Sequence, residues 1–260
     1  RVTDGLAALY RFEEGAGTTV NDTSDNGAPL NLFISAPGNV TWLPEQDALR
    51  LDAPVRVASS GPAIKIFNPV FANNAVTLEA WVRPANRTQT GPARVATISD
   101  STGARNITLG QDAAGWETRL RTTATSDNGI PPLAAGGAVA DGLQHVVYTR
   151  ASDGPAVLYV DGAAVAQTTV AGGTTNWNSG YPLVLGDEAT GGRAWLGELH
   201  LVAFYGRDLS QGEVLQNFSA GAQRDAGGDG AWTGPRTYVV SAARAVVEAD
   251  RRTREDEIRA

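Results

Sequence analysis

The chain has no cysteine and no methionine, two histidines and a single lysine, Lys65, among its 260 residues. Without cysteine there is no disulfide framework, thiolate zinc site, iron–sulfur cluster or thiol nucleophile. Two histidines, His145 and His200, are too few for a histidine-based metal or haem site. Positive charge therefore comes almost wholly from arginine. The 21 basic against 28 acidic residues leave a net charge of -7, which argues against a nucleic-acid partner. No apolar run approaches the roughly 20 residues of a membrane span. The sequence does not open on methionine, so a removed leader is the expectation. Together with the missing cysteines, this predicts an exported, extracytoplasmic protein. Arginine in place of lysine and abundant alanine point to a GC-rich bacterial source.

What is present is short, alternating and punctuated. Val76 to Arg83 alternates cleanly and stops at Pro84. His145 to Thr149 reads as another strand. Ala156 to Val160 runs into Asp161-Gly162 and resumes at Ala163 to Thr169, a hairpin whose turn residues tolerate positive φ. Leu183 to Gly186 and Leu199 to Tyr205 add two strands, and Leu6 to Phe12, Leu30 to Ile34 and Ala104 to Leu109 add three more. No βαβ alternation occurs. The pattern predicts an all-β sandwich of two antiparallel sheets, a jelly roll, over residues 1–221. A short helix closes it, capped by Ser210 with Glu213 completing a capping box. Residues 222–236 form a Gly-rich connector. Residues 237–260 read as a helical tail with an apolar stripe of Val239, Val240, Ala243, Val246 and Val247 beside a charged second half. An isolated helix of that length is marginal in water, so the stripe is expected to bind another protein.

The succession of segments resembles the laminin G-like jelly rolls of the concanavalin A-like lectin/glucanase fold. The run GLAALYRFEEGAGTTVNDTSDNGAPLNLFI resembles that family's opening strand and loop, and VTLEAWVRP its next signature. QHVVYTR and LYVDGAAVA resemble its paired strands, and LGELHLVAFYGRDLSQGEVLQNFSAG its closing strand and helix. The resemblance covers residues 5 to 221. It implies a two-sheet sandwich used mostly for binding glycans or proteins, although the fold also houses glucanases.

Candidate sites follow. A glycosidase needs two carboxylates flanking one bond, and the glucanases of this fold carry theirs at alternating positions of one strand. Here Glu79 and Glu198 stand one to a strand and read as solvent-facing residues, and no catalytic residue is assigned. His145 and His200 read as hydrogen-bonded packing residues. The loop Asn21 to Gly27 clusters oxygen ligands of the kind a hard cation prefers. By resemblance it is a candidate for one structural calcium ion at Asp22, Asp25 and Gly27, although no cofactor is required. The family's closing-strand ligand position falls on His200, and imidazole is a poor calcium ligand. The same Asp/Asn-rich loop also reads as ordinary turn chemistry. A glycan platform is offered by Asn176, Trp177, Asn178 and Tyr181, with Trp116 as a second candidate. Trp177 reads equally as a plug for the end of the sandwich, and Trp81 and Trp195 read as packing. The leading functional reading is a non-catalytic recognition or scaffolding module that contacts another protein, as in a larger envelope assembly. The alternatives are a carbohydrate-binding module and, behind it, a glycoside hydrolase.

Overall fold

The computed structural model describes residues 1–222. The tail stripe Val239, Val240, Ala243, Val246 and Val247, and the connector beyond Ala222, lie outside the described residues. In chain order the first strands are β1 (Leu6–Tyr10), β2 (Thr19–Val20), β3 (Leu32–Ile34), β4 (Val40–Leu43), β5 (Ala48–Leu51) and β6 (Val57–Pro62). Helix α1 (Ile64–Asn73) leads to β7 (Val76–Pro84), β8 (Ala93–Ser101), β9 (Ala104–Asp112), β10 (Gly115–Leu120) and β11 (Leu133–Ala135). The chain continues through β12 (Gln144–Arg150), β13 (Pro155–Val160), β14 (Ala163–Thr169), β15 (Pro182–Leu185) and β16 (Gly197–Tyr205) to helix α2 (Gln211–Ala220).

The strands form two antiparallel sheets. The first runs β14-β13-β12-β7-β16-β5-β4, with β1 paired to the far half of β16. The second runs β11-β10-β9-β8-β15-β6-β3-β2. Period-2 alternation decides what each strand gives to the core. On β7, Leu78, Ala80 and Val82 enter the main core between the sheets, together with Ile98, Ile107, Leu109 and Phe204. The other face of the first sheet is covered too. There Trp81, Val147, Leu201, Ala203 and Tyr205 pack with Leu209 and Val214 in a second apolar cluster under α2. Almost every residue of β7 and β12 is therefore buried, the polar ones included.

Helix α2 starts as its sequence predicts. The Ser210 side chain accepts from the Glu213 N–H, and the Glu213 carboxylate accepts from the Ser210 N–H at 2.8 Å. Strand β1 ends at Tyr10 rather than Phe12, because Phe12 adopts a φ of 56° that takes the chain out of the sheet. Helix α1 is absent from the sequence reading. Pro69 sits inside it, where it removes a backbone donor. Packing compensates: Ile66 and Val70 are fully buried in the main core. The helix ends at Asn74 in the left-handed region, whose side chain donates to the Ser152 carbonyl and accepts from the Thr174 N–H.

Candidate functional site

The strand carboxylates differ from expectation. Glu79 is not solvent-facing: it lies on the α2 side of β7 and is 0% exposed. Its Oε1 takes a short ion pair from Arg1 and lies 2.9 Å from His145 Nε2. Its Oε2 accepts from Asn217 at 2.7 Å and from the Tyr205 hydroxyl at 3.4 Å. Burial alone would push this carboxyl up, but Arg1 and His145 outweigh it and hold the pKa at about 2. His145 is a buried packing residue, stacked on Trp81 with ring centroids 4.8 Å apart. A second buried carboxylate, Glu188, was not singled out from the sequence because it lies in the turn after β15. It receives Ser99 Oγ, Arg94 Nε at 3.1 Å and Arg105 Nη1 at 3.3 Å, with all three charged side chains at 0% exposure.

The aromatic loop also departs from its expected role. Trp177 is only 5% exposed, packs into the main core and donates its indole N–H to the Arg121 carbonyl at 2.8 Å. It plugs the sandwich and presents no platform. Trp116 is fully buried, so the second platform is excluded as well. Asn176 donates to the Thr122 carbonyl, Asn178 is exposed, and Tyr181 is partly buried against the core. The remaining described tryptophans, Trp42, Trp81 and Trp195, are half-buried or buried.

In the Asn21–Gly27 loop, Asp22 is buried whereas Asp25 and Gly27 are exposed on the turn. Asp22 Oδ1 accepts from the Leu9 and Ser24 N–H groups at 3.1 and 3.0 Å. Oδ2 accepts from the Leu30 N–H at 3.0 Å and from Lys65 Nζ at 2.5 Å. Burial works against ionisation here, but the Leu30 N–H, Lys65 and Ser24 together hold the pKa below the ordinary aspartate value. A donor set of N–H groups and an ammonium does not fit a calcium ion, which requires lone pairs directed at it. His200 engages the Gln46 carbonyl and Glu198 instead.

A cleft of about 390 Å³ opens beside β5, β16 and β7. Register makes its floor. Arg50 on β5 stands opposite Glu198 on β16, and Glu198 stands opposite Arg83 on β7. The result is a row of positive, negative and positive side chains across three neighbouring strands. Arg83 Nε lies 3.0 Å from Glu198 Oε2, and Arg50 Nε lies 2.6 Å from Asp52 Oδ1. The guanidinium chains remain 43–44% exposed, whereas Glu198 is 17% exposed. Asp141 and the backbone at Leu196–Gly197 complete the lining. Of this set only Glu198 stands out in the sequence. The rest depends on pairing between strands far apart in sequence.

Two stacked antiparallel sheets and a closing helix fit a known sequence family. The profile of the laminin G-type concanavalin A-like lectin/glucanases matches residues 58–215. The chain belongs to the concanavalin A-like lectin/glucanases superfamily. The jelly roll of that superfamily fits the arrangement of the two sheets. Solved structures with a similar fold include the binding domain of botulinum neurotoxin DC in complex with rat synaptotagmin II. That likeness has a TM-score of 0.62 at 14% identity, covering 86% of this chain and 53% of that one. A botulinum neurotoxin type C structure, described by its dependence on two ganglioside molecules for cell entry, gives 0.62 at 12% identity over 85% and 52%. A Trypanosoma rangeli sialidase in complex with a difluoro-KDN gives 0.61 at 21% identity over 84% and 33%. The chain thus spans about half the length of the toxin domains and a third of the sialidase. At these identities the likeness is one of fold. No curated protein matches the sequence.

Proposed function

We propose that this chain is a non-catalytic recognition module acting outside the cytoplasm, and that it grips a protein partner through the Arg50–Glu198–Arg83 cleft. The observation that carries the reading is the row itself. Each of the two half-exposed guanidinium groups is paired with a carboxylate through Nε, and Arg50 Nη2 also donates to Thr41 Oγ1 at 3.3 Å, so both charges are held in place at the cleft. Mixed, partly exposed charge suits a polypeptide segment bearing both signs, and such complementarity provides specificity. A neutral sugar ring would call for an exposed aromatic face, and no aromatic side chain among the described residues lines this cleft. A toxin binding domain of similar fold is solved with synaptotagmin, which supports protein recognition on this scaffold.

The non-catalytic part of the proposal rests on how the acids are used. Glu79 and Glu188 are sealed inside ion pairs. Glu198 is committed to Arg83 and His200, and Asp52 to Arg50 and Thr41. None of these carboxyls is arranged as a protonated acid facing a partner carboxylate.

A photo-crosslinking residue placed at Asp141 in the full chain tests the proposal. The expected outcome is one discrete protein adduct in the source cell, lost in Arg83→Glu with no change in melting temperature. Binding to a glycan array that is abolished by the same variant would make the module carbohydrate-binding instead. Polysaccharide hydrolysis lost in Glu198→Gln would make it a glycosidase.

A further inference from the structure

Lys65, the chain's only lysine, lies in the first turn of α1, and its side chain is 14% exposed. Its Nζ is 2.5 Å from Asp22 Oδ2 and 2.9 Å from Ser24 Oγ. The Asp22 side chain is fully buried. A carboxylate offers about four lone-pair directions. At Asp22 they are taken by the Leu9, Ser24 and Leu30 N–H groups and by the Lys65 ammonium. The Asp22 N–H in turn donates to Asn31 Oδ1 at 3.0 Å. One ammonium thus ties the loop of residues 21–31 to α1, with the loop's backbone wrapped around its counter-charge.

We propose that Lys65 is the resident cation of this loop, and that the loop binds no divalent metal. The chemistry favours lysine here. An ammonium is a compact point charge with donors it can rotate toward a carboxylate and a hydroxyl. A calcium ion needs six to eight oxygens, but around Asp22 it would meet N–H hydrogens. The loop therefore keeps its shape whatever the calcium level of the surroundings. This inference stands apart from the recognition cleft and would survive the loss of that reading.

Thermal melting of the full chain in millimolar calcium and in chelator, for the native sequence and for Lys65→Met and Asp22→Asn, tests it. The native chain is expected to melt at the same temperature in both solutions. Lys65→Met should melt about 5–10 °C lower in both, because it strands a buried carboxylate. A native melting temperature that falls in chelator, recovers with calcium and loses that response in Asp22→Asn would overturn the proposal. So would a Lys65→Met chain that melts like the native one. If Lys65→Met does not fold, hydrogen exchange at the Leu9 and Leu30 amides of the native chain decides. Protection unaltered by calcium supports the lysine, and protection that rises with calcium overturns it.

Discussion

Glu79 shows how much a single side chain can be asked to hold. It is fully buried, and Arg1, His145, Asn217 and Tyr205 converge on it from the chain start, β12, α2 and β16. Its folded pKa of about 2 lies below its ordinary value of 4.5. The stabilisation is therefore complete above pH 4.5 and is lost as pH falls toward 2, on the order of 3 kcal/mol in all. Glu213, held at about 2 mainly by its hydrogen bond with Arg207, titrates in the same window but is largely solvent-screened. Urea unfolding at pH 7 and pH 3 should show a smaller difference in Glu79→Gln than in the native chain. At pH 7 that variant should be less stable by about 3 kcal/mol, because it leaves the Arg1 charge unpaired. Trp177→Ala should cost about 3–5 kcal/mol. An unfolding titration reads that as a loss of core, whereas a platform residue would leave stability unchanged.

Among the elements, α2 rests on its cap. Ser210→Ala removes one half of the reciprocal pair and should lower stability by about 1 kcal/mol, visible as a melting shift of about 2–4 °C. That cap was legible in the sequence, as were β7, β12, β16 and the β13–β14 hairpin. Each carries its signal locally, in alternation or in a turn dipeptide. What was not legible depends on distant partners. Helix α1 contains Pro69 and lacks a capping side chain, so local rules argue against it, and only burial of Ile66 and Val70 makes it helical. Glu79 looks like an outward strand residue because alternation cannot reveal that α2 covers that face. Trp116 and Trp177 lie in Gly- and Asn-rich stretches that resemble exposed loops until the sandwich closes over them. The cleft row needs β5 beside β16 beside β7, a register fixed by tertiary pairing.

At the scale of the molecule, the described residues 1–222 form one compact unit with its own core. A chain ending after Ala222 should therefore fold on its own and give a single cooperative transition in calorimetry. Both faces of the first sheet are occupied over much of their area, one by the main core and the other by α2 and the chain start. On the second sheet, Arg94, Arg105 and Glu188 bury a block of charge beside Thr97 and Thr108.

Arg1 donates to the Gly221 carbonyl at 2.5 Å, and the Val2 N–H to Asn217 Oδ1 at 2.7 Å. The sandwich is therefore entered and left through a single doorway. A domain with adjoining ends is a pendant: a host polypeptide can carry it between two neighbouring residues of a surface turn without spreading that turn apart. For the same reason a short splice from Gly221 back to Arg1, with a new opening cut at an exposed turn such as Thr102-Gly103, should give a circular permutant that folds to the same sheets.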